Sequence, residues 1–252
     1  MSAVTVDMQS TRRRRKPTRP ERILLPYQVR WNRDQSSMKA WEKSRRVGAD
    51  YAEAYKVAHS RISGERPLDY WYSSNDESAA REFMDYVAWW SGLFDHAAQV
   101  VDETMRIGEI DVQVFRIAFN GCGARGGATE DPKAVALSSN PKGFRSKGGD
   151  VTISELAFHE DAFALWKAAI PCITWGGRFA CLSSHHGEMS LFNQRIEGAR
   201  RHADPKQFGA PKPFDVAMSL HRTTIHDAVA DGLCERINAM SGQSQTREEF
   251  VE

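Results

Sequence analysis

Apolar and polar positions alternate along the chain in short runs, separated by longer stretches of helical spacing, and this predicts strands and helices in alternation. The strand-like runs are Met38 to Lys43, Leu68 to Ser73, Val112 to Phe119, Ala134 to Ser138, Val151 to Glu155, Phe179 to Ser183 and Phe214 to Leu220. Ala80, Phe83, Met84, Val87, Trp90 and Phe94 recur at helical intervals and predict a helix from Glu77 to His96 with that stripe facing a core. A further helix is expected from Thr224 to Met240, whereas the Pro-containing stretches around Asp131 to Pro141 and Pro205 to Pro213 read as loops. Strands alternating with helices imply an α/β sheet, mainly parallel and flanked by helices.

Composition narrows this picture. With 252 residues and 41% hydrophobic side chains, the chain can bury one substantial core, which excludes low-complexity disorder as its main character. Residues 1–22 are the exception: polar, with a basic cluster from Arg12 to Lys16 and prolines at 17 and 20, they read as a disordered arm, either a solvated tail or a weak, salt-sensitive DNA contact. The folded domain is expected over residues 23–245, and residues 246–252 read as a helix start or a linker. Lys and Arg (34) balance Asp and Glu (33), so any grip on nucleic acid has to come from a local patch. The four cysteines, Cys122, Cys172, Cys181 and Cys234, lack the paired spacing of a zinc knuckle or disulfide framework and read as reduced, mostly buried thiols. No apolar run reaches the roughly 18 residues of a membrane span, and no signal peptide is visible, which leads to the expectation of a cytoplasmic protein without membrane partners.

Three segments carry candidate chemistry. MKAWEKSRRVGADYAE (38–53) has the strand, turn and helix order of a phosphate-binding loop, in which backbone N–H groups at a helix N-terminus face an anion. It nevertheless lacks the standard G-x-x-x-x-G-K-[ST] pattern. VTISELAFHED (151–161) ends a β-rich run in Glu155, either an ordinary strand-end residue or a carboxylate placed to act as general base on an attacking water. FACLSSHHGE (179–188) is an apolar strand ending in small polar residues, either a turn or a sensor that hydrogen-bonds a γ-phosphate. His185 with His186, and His159 with Glu160, are adjacent residues that point opposite ways on extended backbone, which argues against a histidine metal site.

In order, these segments resemble the ATPase domain of terminase large subunits of tailed phages, especially the Mu-like prophage group. The resemblance runs through LLPYQVRW (24–31), EKSRRVGADYAEA (42–54), YWYSSNDESAAREFMDYV (70–87), VALSSNPKGFRSKGGDVTISELAFHEDA (135–162), WGGRFACLSSHHGE (175–188) and SLHRTTIHDAVADGL (219–233), about nine-tenths of the chain. It implies a P-loop NTPase fold of the RecA/ASCE kind and an ATPase that uses ATP and Mg²⁺ to move double-stranded DNA into a procapsid. The implied partners are the portal, the terminase small subunit and further copies of the chain in a ring, and the implied location is the host cytoplasm. Gln28 matches a residue that reads adenine. Lys43, Ser44, Arg45, Arg46, Val47, Gly48, Ala49 and Asp50 match the deviant Walker A loop, with Lys43 as the phosphate lysine and Arg45 or Arg46 assisting. Glu155 matches the catalytic Walker B glutamate, and Ser183, Ser184, His185, His186 and Gly187 match the motif that couples hydrolysis to movement. Arg145 matches the region that supplies an arginine finger to a neighbouring subunit.

Two positions depart from that pattern and concern one ion. Asp50 stands where the Walker A hydroxyl ligates Mg²⁺, and Ser154 stands where the Walker B aspartate does. One expectation is a compensated exchange that leaves Asp50 and Ser154 as Mg²⁺ ligands and the ATPase working. The other is that Asp50 caps its helix in a capping box with Glu53 and repels phosphate, by on the order of 4 kcal/mol at ~4 Å and an effective dielectric near ~20. Hydrolysis-impaired nucleotide binding, a purely structural assembly role, or a helicase-like ATPase outside packaging remain as alternatives. The RNase H-like nuclease that follows in terminase large subunits lies beyond the sequence, so nuclease activity is not expected, and the chain reads as an isolated domain or a split or truncated gene.

Overall fold

A computed structural model describes residues 23–94, 96, 100–107, 110–122, 130–137 and 139–251. The basic arm expected over residues 1–22, together with Ser138 and Glu252, lies outside them. Among the described residues, eight strands form one sheet in the order β3-β4-β5-β2-β6-β7-β1-β8. The strands are β1 (Met38–Lys43), β2 (Tyr70–Ser73), β3 (Val101–Ile107), β4 (Ile110–Ala118), β5 (Lys133–Leu137), β6 (Asp150–Ser154), β7 (Phe179–Ser183) and β8 (Ser219–Thr223). All neighbouring pairs are parallel except β3 with β4 and β4 with β5, so a mainly parallel sheet carries an antiparallel edge.

Burial on both faces explains the near-continuous apolar strands. Trp71, Val135, Leu137, Val151, Ile153, Phe179 and Cys181 point to one face, beneath α4 (Ala162–Ala169) and α5 (Leu191–Ala203). Tyr70, Tyr72, Ala134, Ala136, Phe115 and Ile117 point to the other, against α2 (Ala49–Ile62) and α3 (Glu77–Leu93). The stripe on α3 behaves as its spacing predicts: Ala80, Phe83, Met84, Val87, Trp90 and Phe94 are all buried. Asp76 starts that helix by accepting the Ala79 N–H at 2.8 Å. A third cluster joins Tyr27 and Trp31 of α1 (Pro26–Arg33) to Trp41, Val47 and Leu182.

Several boundaries differ from the sequence expectation. α3 ends at Leu93, three residues short of His96. The expected strand over residues 214–220 lies later, at Ser219–Thr223, where pairing with Lys39 to Lys43 sets the register; Phe214 is 90% exposed in the preceding loop. The single helix expected over residues 224–240 is two, α7 (Ile225–Ala230) and α8 (Leu233–Ser241), because Gly232 takes φ +99° between them. Within the expected 205–213 loop, Pro205–Phe208 forms a short helix, α6, with Asp204 accepting the Lys206 and Gln207 N–H groups. The helix α1 and strand β3 have no counterpart among the expected elements. At the end of the chain, Arg247–Val251 forms a short helix, α9, that pairs Arg247 with Glu235 and lays Phe250 against the third cluster.

At the amino ends of the strands, Asp150 binds the buried Arg61 at 2.7 Å, Arg66 at 2.5 Å and the Arg178 N–H at 2.9 Å. Gly149 just before it has φ +132°, and a Cβ there would sit 2.2 Å from the Asp69 carbonyl oxygen. Gly149→Ala is therefore expected to destabilise the protein by about 1–3 kcal/mol, from backbone strain and the steric conflict, read as a lower urea midpoint with an unchanged slope.

Candidate active site

The site is assembled at the carboxyl ends of β1, β7 and β6, which lie side by side in the sheet. Lys43 ends β1, the turn Ser44 to Gly48 follows, and α2 begins at Ala49. Gly48 takes φ +67° and a Cβ there would come within 2.8 Å of Gln28 Nε2, so the turn needs glycine at this position. Tyr27 donates its hydroxyl to the Val47 carbonyl at 2.7 Å, and Gln28 Nε2 donates to the Val47 and Gly48 carbonyls at 3.2 and 3.1 Å. The loop is thus clamped from α1 by its carbonyls. The first intrahelical bond of α2 runs from the Ala52 N–H to Gly48 O, so the N–H groups of Ala49, Asp50 and Tyr51 have no partner inside the helix, as an anion-binding helix start requires.

Lys43 is nearly buried, and its Nζ binds Glu155 Oε1 at 2.6 Å. Glu155 follows the last residue of β6 in a left-handed conformation, φ +52°, an uncommon backbone for a glutamate. Its other oxygen faces β7: Ser183 Oγ stands 3.3 Å from Oε2 and the Ser184 N–H 3.4 Å. Lys43, Glu155 and the carboxyl end of β7 therefore form one hydrogen-bonded cluster, which joins the strand that leads into the Gly48 turn to the tip of β6. His159 supports the tip from below. Its Nε2 bonds Ser154 O at 2.9 Å and its Nδ1 meets Ser139 Oγ at 2.5 Å, while burial lowers its pKa and favours the neutral ring.

Beyond Ser183 and Ser184, the predicted coupling residues diverge. His185 binds Glu42 of β1 at 3.0 Å, where Arg200 of α5 also pairs at 2.6 Å. His186 rests against the Phe158 ring, and Gly187 is an exposed turn residue with φ +76°. In the loop, Ser44 N–H bonds Thr223 O at 2.9 Å, and Arg45 and Arg46 are exposed. Arg145 stands apart from this cluster. It is exposed after the 3-10 turn Pro141–Phe144 and lines a separate cleft of about 610 Å³ together with Lys142, Lys147 and Lys167.

The capping-box expectation for Asp50 is not met. Gly48 precedes the helix with no side-chain cap, and Glu53 turns inward instead of back to the backbone, receiving Trp31 Nε1 at 2.6 Å and the Tyr70 and Thr152 hydroxyls at 3.2 Å each. Buried donors on the sheet compete more strongly for that carboxylate than an N–H group at the helix start. Asp50 itself accepts the Tyr72 hydroxyl at 2.8 Å. Burial raises its pKa, against the opposing pull of Lys43 and of the Tyr72 and Ser154 hydroxyls. Ser154 Oγ is buried close enough to the Asp50 carboxylate and the Tyr72 hydroxyl to favour their charged forms, but it makes no hydrogen bond of good geometry to either. A buried hydroxyl oxygen without a well-formed hydrogen bond, next to a carboxylate and with Glu155 on the following residue, is a donor set of the kind that suits a hard divalent cation. Tyr72, Tyr27 and His159 were not singled out for these roles from sequence; the signal for Tyr72 was its alternation with Trp71 on one strand.

No family model matches the chain. The Mu-like prophage FluMu protein gp28 of Haemophilus influenzae is 37% identical over 235 residues, 92% of this chain and 42% of that protein. The probable terminase large subunit gp28 of Escherichia phage Mu is 34% identical over 233 residues, 89% of this chain and 38% of that protein. The chain thus spans about two fifths of the length of these curated relatives. Among solved structures, the ATPase domain of the Thermus phage P74-26 large terminase superposes with a TM-score of 0.59 at 14% identity, covering 90% of this chain and 92% of that one. The large terminase of another thermophilic bacteriophage, in complex with ATP-γ-S, superposes with a TM-score of 0.53 at 13% identity, covering 86% of this chain and 49% of that one. At such identities the structural likeness establishes the fold, and the sequence relatives establish the kinship.

Proposed function

Over the region it spans, the chain belongs with the Mu-like terminase large subunits, and from that premise we propose that it binds ATP with Mg²⁺ at the Lys43–Glu155 cluster and hydrolyses it to drive packaging of double-stranded DNA. The observation that carries this reading is the contact of Lys43 with Glu155, backed by Ser183 and Ser184, at the carboxyl ends of adjacent parallel strands. That is where ligands bind in open α/β sheets. In this reading the N–H groups opening α2, with Lys43, Arg45 and Arg46, receive the phosphates. Glu155 orients and deprotonates the attacking water. Ser183 and Ser184, in contact with the same carboxylate, carry the change in its state to the loop through His185 and Gly187.

Asp50 and Ser154 hold Mg²⁺, directly or through water, and the buried Ser154 Oγ, beside the Asp50 carboxylate without a well-formed hydrogen bond, supports that assignment. When bound, the ion supplies charge neutralisation across the transferring phosphoryl group. Gln28 acts in this reading through the loop that it clamps, since its Nε2 already serves two loop carbonyls. Arg145, exposed and remote from the cluster, suits action on a neighbouring subunit in a ring seated on a portal. The domain proposed for this activity spans residues 23–245.

Hydrolysis measured with Mg²⁺ on the wild type, Asp50→Ser, Ser154→Asp and the double variant tests the reading. The expected pattern is an active wild type, two singles weakened by about tenfold or more, and a double variant restored towards wild type, because the exchange conserves site charge. A single variant outperforming the wild type contradicts the exchange. A second reading, a structural assembly module with impaired nucleotide binding, draws on the carboxylate of Asp50 at a position where it would repel phosphate in the absence of a cation. Titration of labelled ATP with and without Mg²⁺ separates the two: undetectable binding under both conditions favours the second.

A further inference from the structure

Two carboxylates one helical turn apart on α2 meet the sheet in nearly the same way. Glu53 faces Tyr70 of β2 and Thr152 of β6; Asp50 faces Tyr72 of β2 and Ser154 of β6. Strand register makes this a repeat: Tyr70 pairs with Asp150 and Tyr72 with Thr152, so Thr152 lies two residues beyond the partner of Tyr70, and Ser154 two beyond the partner of Tyr72, all on one face.

The two sets end differently. At Glu53 both hydroxyls reach the same carboxylate oxygen, each at 3.2 Å, and the set is closed by protein alone. At Asp50 the side chain is one methylene shorter. Tyr72 reaches Oδ1 at 2.8 Å, whereas Ser154 Oγ, 1% exposed as a residue, lies beside that carboxylate and the Tyr72 hydroxyl without a hydrogen bond of good geometry. A buried hydroxyl without a well-formed hydrogen bond is costly, by up to about 1–3 kcal/mol, so a site that keeps one is suited to a bound group. Tyr72 is itself held rigidly, its ring stacked on Phe83 with centroids 3.7 Å apart and planes 4° off parallel.

We infer that Tyr72 is a positioning residue of the divalent-cation site: its hydroxyl occupies Asp50 Oδ1 and fixes the carboxylate beside Ser154, leaving the second carboxylate oxygen and Ser154 Oγ to the cation. This rests on the magnesium assignment made above. The hydroxyl acts as the outer hydrogen-bond partner of a ligating carboxylate, a class of contact whose removal lowers metal affinity about 10–100-fold.

Direct Mn²⁺ binding, read by electron paramagnetic resonance of the free ion in the presence of ADP, tests it without recourse to turnover. Tyr72→Phe keeps the ring and its stack, and Mn²⁺ affinity is expected to fall about 10–100-fold with the melting temperature little changed. Tyr70→Phe, the matching change in the closed set, is expected to leave Mn²⁺ affinity unaltered. In an Asp50→Asn background Tyr72→Phe is expected to add no further loss, because Tyr72 acts through that carboxylate. Undiminished affinity in Tyr72→Phe, an equal loss in Tyr70→Phe, or a full additive loss in the Asp50→Asn background each overturns the inference while the magnesium site stands. A wild type that binds no Mn²⁺ with ADP overturns the magnesium site itself. A measurement independent of variant folding uses 3-fluorotyrosine in the wild type: Mn²⁺ with ADP is expected to broaden the Tyr72 resonance before that of Tyr70, and equal broadening overturns the assignment.

Discussion

Glu155→Gln is expected to lower the rate of ATP hydrolysis about 10²–10⁴-fold while leaving ATP bound at least as tightly as in the wild type. The amide still accepts the Ser184 N–H and fills the same space, but it cannot take a proton from water. Affinity is protected because of what Lys43 does in this structure. Its Nζ is committed to Glu155 at 2.6 Å, so a triphosphate bound as proposed would have to compete with the glutamate for the lysine. A neutral amide weakens that competition and leaves the cation for phosphate. Single-turnover hydrolysis together with an equilibrium ATP titration checks both halves. Turnover within about tenfold of wild type would assign the base to another residue, and loss of binding would mean that Glu155 serves chiefly to hold Lys43 in place.

Asp150→Ala is expected to cost about 3–5 kcal/mol, because it strands a buried cation. Arg61 is 2% exposed and gives up its carboxylate partner in this variant, Arg66 loses the same partner, and the Arg178 N–H loses its acceptor. In a chain of this size such a loss corresponds to a fall in melting temperature on the order of 10 °C. Acid should remove the same contribution from the wild type. Burial by itself would raise the Asp150 pKa, but the guanidinium groups of Arg61 and Arg66 outweigh it and hold the carboxyl at about 2, below the ordinary carboxylate value. A carboxyl depressed in the folded state adds stability that is complete above its unfolded pKa of about 4 and is lost as the pH falls through the folded value. The gap in melting temperature between wild type and Asp150→Ala is therefore expected to be constant near neutrality and to shrink from about pH 4 down to pH 2. A gap independent of pH over that window would show that the charge of Asp150 is not what secures this edge of the sheet.

Of these two residues the sequence announces one. Glu155 stood out because a β-rich run ended in a carboxylate. Asp150 did not, since nothing near it in sequence announces Arg61, 89 residues earlier. The same contrast holds for Asp50. Its position after a glycine turn marked it as part of the loop, but sequence spacing alone also favoured a capping box with Glu53, and the structure assigns Glu53 to Trp31, Tyr70 and Thr152 instead. Gln28 likewise read as a contact for adenine, and its amide is found clamping the loop carbonyls.

What the chain's own order of residues determined was everything governed by local period: the alternation of strands and helices, the buried stripe of α3, the strand tips that carry Lys43, Glu155 and Ser183, and the glycine that the turn at Gly48 requires. Backbone sterics and the facing of neighbouring side chains act over a few residues, so they leave a mark in a linear pattern. Tertiary structure alone decided which strands are neighbours, that Lys43 and Glu155 touch, and that Tyr72 and Ser154 flank Asp50. Those contacts depend on sheet order and register, which are set by the simultaneous burial of many distant apolar faces, and no single segment contains that information.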